Sequence, residues 1–122
     1  LAARKAAEQI KEEELAELEE VILLSEFHVK KPESKQMVRL DGRFHEIMYR
    51  ASGSRMLEHV LTDFLHYVKM ARSHSVKTEH RAQESVKEHK RILEAIRQRD
   101  GDLAERLANE HIQHVIENLD LH

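Results

Sequence analysis

Cysteine is absent from all 122 residues. Disulfides, thiolate zinc sites and cysteine nucleophiles are therefore excluded, and the redox compartment cannot be read from oxidation state. Proline occurs once, glycine three times and tryptophan not at all, beside two tyrosines and three phenylalanines. So few helix breakers, set against abundant Ala, Leu, Glu, Lys and Arg, argue for helix almost throughout and leave no strand signal. The longest apolar run is Val21-Ile22-Leu23-Leu24, far short of the roughly 20 residues of a membrane span, and no signal-peptide pattern opens the chain. A soluble, cytoplasmic chain with no membrane partner is expected. Charge has no dominant sign either: 20 basic and 23 acidic residues give a net −3. They are mixed along the sequence, without the basic stripe that neutralises phosphates, so this stretch alone is not expected to bind DNA.

What is present is helical punctuation. A chain of 122 residues is one domain, large enough to bury a core without staples. It begins at Leu1, without an initiator Met, directly in a helical pattern, so a fragment lacking an upstream part is expected. A first helix is predicted from about Ala2 to Leu24, burying Ala7, Ile10, Leu15, Leu18 and Ile22, with Glu12-Glu13-Glu14 as a solvated face. Glu26 to Lys31 reads as a connection, and Pro32 as the opening of a second helix. That helix carries Met37, Asp41, Phe44, His45 and Met48 on one side and stops at Ala51-Ser52-Gly53, where Gly supplies a C-terminal cap.

Ser54 can cap the third helix, Arg55 to about Ser73, whose stripe is Leu57, Leu61, Phe64, Leu65 and Val68, extended by Arg72. After a polar break at Ser73 to Thr78, a fourth helix from about Glu79 to Arg99 aligns Val86, His89, Leu93 and Ile96. Asp100-Gly101-Asp102 ends it, and Asp102 starts the last helix, with Leu103, Leu107, His111, Val115 and Leu119 in line. The fold class is all-α, and short connections favour antiparallel neighbours in a compact bundle.

Four polar residues occupy positions where these stripes call for apolar side chains: Asp41, His45, His89 and His111. Asp41 and His45 are one turn apart, about 40° from each other on one helix face. His89 and His111 come singly from two further helices, each with apolar residues three or four positions away. Convergence is geometrically possible. Taken one at a time, an inward histidine is more often a hydrogen-bonded core residue than a ligand, and a buried Asp more often a cap or ion-pair partner. Taken together, one carboxylate and three imidazoles would be satisfied by a single shared cation. Both readings stand at this point. An Asp/His3 set suits zinc, nickel, manganese or iron better than calcium, which prefers oxygen alone.

Competing motifs fail on spacing. Di-iron bundles need Glu-x-x-His pairs, and no histidine here has Glu three residues before it. In His45-Glu46, Tyr49 stands where a His-Glu-x-x-His peptidase needs its second histidine. There is no Gly-rich phosphate loop and no Gly-x-Ser-x-Gly elbow. Arg72, extending an apolar stripe, calls for an internal carboxylate, a path to water, or an acidic ligand. Tyr49 and Ser54 could add neutral hydrogen bonds to such a ligand, or serve packing and capping.

With these residues in hand, the chain resembles the FCD domain, the C-terminal effector-binding domain of the FadR subfamily of GntR bacterial transcription regulators. The resemblance rests on Leu1-Ala2-Ala3-Arg4, on the run from Asp41-Gly42-Arg43-Phe44-His45 to Ala51-Ser52-Gly53-Ser54, and on Glu88-His89-Lys90-Arg91-Ile92-Leu93-Glu94-Ala95-Ile96 with Asp100, Ala104 and His111. It covers nearly the whole sequence. It implies an antiparallel bundle of about six helices around a central divalent metal, zinc first, held by Asp41, His45, His89 and His111. It further implies a small carboxylic acid beside the metal, with Arg72, Tyr49 and Ser54 as effector contacts, although Ser54 stands where the family often carries Asn. A homodimer, with DNA reached only through an N-terminal winged helix that these residues do not contain, completes the implied picture: a sensor and not an enzyme. A mononuclear metal hydrolase or lyase, and a structural metal-stabilised dimerisation bundle, are the alternatives.

Overall fold

A computed structural model describes residues 1–31, 35–71 and 79–117. Six helices run through them: α1 Ala2–Gln9, α2 Glu12–His28, α3 Lys35–Ala51, α4 Arg55–Ala71, α5 Glu79–Arg97 and α6 Gly101–Glu117. The all-α expectation holds. None of these helices is long and apolar enough to cross a membrane.

The single helix expected from Ala2 to Leu24 is two. Ile10 and Lys11 are extended, at φ −61°, ψ 140° and φ −91°, ψ 158°, although neither Gly nor Pro stands near. A new N-terminus forms here because the Lys11 backbone N–H donates to Glu14 Oε1 at 3.1 Å, satisfying one donor that the first turn leaves open. Glu12, Glu13 and Glu14 all lie in that first turn, where negative charge opposes the helix dipole favourably. The acidic run is thus the start of α2 as well as a solvated face. The break lets α1 occupy the interior: Ala2, Ala3, Ala6 and Ala7 are all buried, and α1 packs against α3, α5 and α6. Small side chains permit that close approach.

Around α1 the core is filled by Leu18, Phe44, Ile47, Ile92 and Ile96, each fully buried. α2 lies on α3 and α5, and α4 on α3. Of the α4 stripe, Leu65 is buried, Leu57 and Leu61 are half-buried, and Phe64 is 39% exposed. Exposed ion pairs tie the periphery: Arg4 to Asp102 and Glu105, Arg50 to Glu17, and Arg97 to Glu19. Screened by solvent, such pairs add little to stability.

Turns follow local rules with one reassignment. Gly53 takes φ 75° beyond the end of α3, as a C-terminal glycine should. The Ser54 hydroxyl accepts the Leu57 N–H at 3.2 Å and caps α4. After α5 it is Arg99, at φ 61°, and not a glycine, that turns left-handed. The Asp100 N–H reaches back to the Ala95 carbonyl at 2.9 Å and the Arg99 N–H to Ile96 at 3.0 Å, a Schellman closure. Asp100 Oδ1 then accepts the Leu103 N–H at 3.1 Å, so α6 is capped by Asp100 and starts at Gly101, not at Asp102.

Candidate metal centre

Three helices deliver one imidazole each to the same interior point. α3 supplies His45, α5 His89 and α6 His111, with 4%, 4% and 1% of their surface exposed. The Nε2 atoms of His89 and His111 are 3.1 Å apart, and those of His111 and His45 are 3.4 Å apart. The ligand atoms of all three lie within 4.8 Å of one another. Packing holds the rings: Phe44 stacks on His89 at 4.2 Å between centroids and 6° between planes, and His45 stacks on His111 at 5.2 Å and 18°. Phe44 precedes His45 on α3, so one turn of helix places both a ligand candidate and the wall behind another.

Asp41, one turn before His45, is half-buried, and its Oδ1 is 3.8 Å from His89 Nε2. The structure therefore gathers the three histidines tightly and sets Asp41 at their edge, more open to solvent. The donor set fits a divalent ion. At ligand distances of about 2.1 Å, neighbouring nitrogens lie roughly 3.0 to 3.4 Å apart, and the two separations here fall in that range. Facing imidazole nitrogens at such distances need either a shared proton or a cation between them.

Glu88 is a participant that the stripe reading missed, since it lies off the apolar line of α5. Its Oε1 lies 2.6 Å from His111 Nδ1 and its Oε2 2.9 Å from His114 Nδ1, with only 12% of the side chain exposed. Burial alone would raise this carboxyl. Hydrogen bonds from His111 and His114, aided by the Arg81 charge, outweigh it and hold the group down at about 2. The only signal in the sequence was His111 and His114 three apart on one face of α6, a pair that a single carboxylate can span.

Tyr49 is 4% exposed, one turn beyond His45 with ring centroids 6.0 Å apart. Burial, and secondarily the Asp41 charge, push its hydroxyl up to about 12, so it stays a neutral donor. Ser54 is at the α3–α4 junction, and its oxygen already caps α4. Arg72 lies outside the described residues.

The sequence pattern of the FCD domain family matches residues 1–114. This chain belongs to the FCD domain family. The domain is 29% identical over 124 residues to the uncharacterized HTH-type transcriptional regulator YdhC of Bacillus subtilis, covering 98% of this chain and 54% of that protein. It is 23% identical over 117 residues to the HTH-type transcriptional repressor RspR of Escherichia coli, covering 96% of this chain and 51% of the repressor. The chain thus spans about half the length of the regulators it matches. Among solved structures, E. coli McbR/YncC superposes with a TM-score of 0.77 at 20% identity, over 95% of this chain and 59% of that one. That similarity shows a shared all-helical fold.

Proposed function

We propose that this FCD domain is the effector-sensing part of a bacterial transcription regulator, with a divalent metal held by His45, His89, His111 and Asp41. The observation that carries the reading is the convergence of three buried imidazoles, one from each of three helices, within 4.8 Å. Zinc is the first candidate, because nitrogen-rich sites with one carboxylate suit it; nickel, manganese and iron share that chemistry. The metal would supply a Lewis-acidic position for the carboxylate of a small organic acid. Tyr49, kept protonated by burial, would donate a hydrogen bond to the acid, while Arg72 and Ser54 are further contacts implied by the family.

A ligand joining elements of α3, α5 and α6 can shift the placement of those helices by as much as it prefers one arrangement over the other. A tenfold change in DNA affinity needs about 1.4 kcal/mol of such preference. The relatives' HTH-type names support a DNA contact made by a part outside this chain; in the homodimer proposed here, two such parts would respond together. A metal hydrolase would need a general base at the open position. Glu88 does not supply one, because it faces the opposite edge of the His111 ring.

The test is elemental analysis of protein purified without chelator, together with a thermal-shift screen of small mono- and dicarboxylic acids on the metal-loaded chain. Near-stoichiometric divalent metal and stabilisation by an acid are expected. Metal-free protein that takes up none on incubation would remove the proposed centre, and metal without any acid hit would leave a structural bundle.

A further inference from the structure

The carboxylate of Glu88 stands on α5 one residue before His89 and reaches across to two residues of α6. A carboxylate has no hydrogen to give, so at His111, 2.6 Å away, and at His114, 2.9 Å away, the imidazole Nδ1–H donates. Its two oxygens have different surroundings. Oε2 faces the rim, where His114 is 47% exposed and Arg81 Nη1 stands at 3.6 Å. Oε1 faces inward to His111, whose side chain is 1% exposed. A neutral ring with its hydrogen on Nδ1 carries its lone pair on Nε2, and Nε2 is the atom that faces His89 and His45 at 3.1 and 3.4 Å.

We infer that Glu88 is the positioning residue of the centre: by accepting from Nδ1 it fixes His111 in the tautomer and ring orientation that present an Nε2 lone pair to the metal. The inference rests on the metal reading above. Oε2, held by His114 and Arg81, keeps the carboxylate turned so that Oε1 meets His111. A carboxylate behind a ligating imidazole also raises its basicity, and loss of such a partner typically weakens metal binding by about ten- to a hundredfold. His114 meets the outer oxygen of the carboxylate and reaches the centre only through Glu88, so its removal has a smaller effect.

The experiment compares the full chain with its E88A, E88Q and H114A variants. Zn2+ affinity is read by competition with a chromophoric chelator, and the His111 tautomer by 15N correlation spectra of the metal-free protein. Wild type is expected to carry the hydrogen on Nδ1, and E88A to shift it toward Nε2 and to bind Zn2+ about ten- to a hundredfold more weakly. In E88Q the amide oxygen can still accept, so most of the affinity returns; H114A stays within about threefold of wild type. A wild-type His111 with its hydrogen on Nε2, or E88A binding Zn2+ as tightly as wild type, overturns the inference while leaving the metal centre intact. A wild type that binds no Zn2+ or other divalent ion overturns the metal reading and this inference with it. The tautomer measurement on wild type needs no variant and decides the matter even if E88A fails to fold.

Discussion

His89 Nε2 and His111 Nε2 stand 3.1 Å apart, on helices joined by a short turn and closed by Arg99. Two side chains that would otherwise be apolar at these stripe positions are thus committed to one point. If a metal lies between them, replacing either leaves the ion short of a ligand and the partner imidazole facing a void. At a free-metal concentration of 100 times Kd, binding adds about 2.7 kcal/mol to stability. For a domain of this size, that corresponds to a rise in Tm of roughly 10 °C over chelated protein. His111→Ala is expected to abolish that difference while also lowering the Tm of the chelated protein, read by scanning calorimetry with and without chelator. An undiminished metal-induced shift in the variant would exclude His111 as a ligand.

Tyr49 gives a pH signature independent of metal. Its hydroxyl is raised by burial, and then by Asp41, to about 12, against about 10 in an unfolded chain. The folded state therefore holds the proton more tightly. The associated stability is fully present below pH 10 and is lost as pH rises through 12. Wild type should already have lost about 1 kcal/mol relative to Tyr49→Phe by pH 11, measured as urea midpoints of chelated protein at pH 8, 10 and 11. Parallel pH dependences in the two proteins would contradict a buried, neutral Tyr49.

The histidines were legible in sequence because each interrupts an apolar stripe, and the 3.6-residue period alone tells which way such a residue points. Asp41 was legible as a neighbour of His45, but its half-exposure was not, since the stripe does not say where the bundle's edge falls. Glu88 was hidden because it lies one step, about 100°, off the α5 stripe, and its partners belong to another helix. Its role exists only once α5 and α6 are side by side. The break at Ile10 and Lys11 was hidden for a different reason. It is made by a glutamate side chain capping a backbone N–H, whereas sequence reading weighs Gly and Pro most heavily as breakers.

Gly53 carries two constraints that can be separated. At φ 75° a side chain is strained, and a Cβ there would lie 2.3 Å from Gln9 Oε1. The second contact involves the far end of a flexible side chain, so it can move at small cost. Gly53→Ala should therefore destabilise by about 1–2 kcal/mol, and most of that loss should remain in a Gln9→Ala background. Chemical denaturation of the four proteins of this cycle measures both contributions. Full recovery in the Gln9→Ala background would mean that the contact, and not the backbone, sets the cost.

Ser54 separates a capping role from a ligand-contact role. Its oxygen accepts the Leu57 N–H at 3.2 Å, and losing a serine cap to alanine costs about 1 kcal/mol, whereas glycine at the same position costs only a few tenths. Ser54→Ala is therefore expected to lower Tm by roughly 4 °C, with Ser54→Gly close to wild type. Both variants remove the hydroxyl equally, so any contact with the acid is lost in both. With the hydroxyl also meeting the acid, as proposed, the acid's affinity for the metal-loaded chain should fall equally in Ser54→Ala and Ser54→Gly, whatever their Tm, by calorimetric titration. Affinity unchanged from wild type in both variants would leave the hydroxyl as a cap alone.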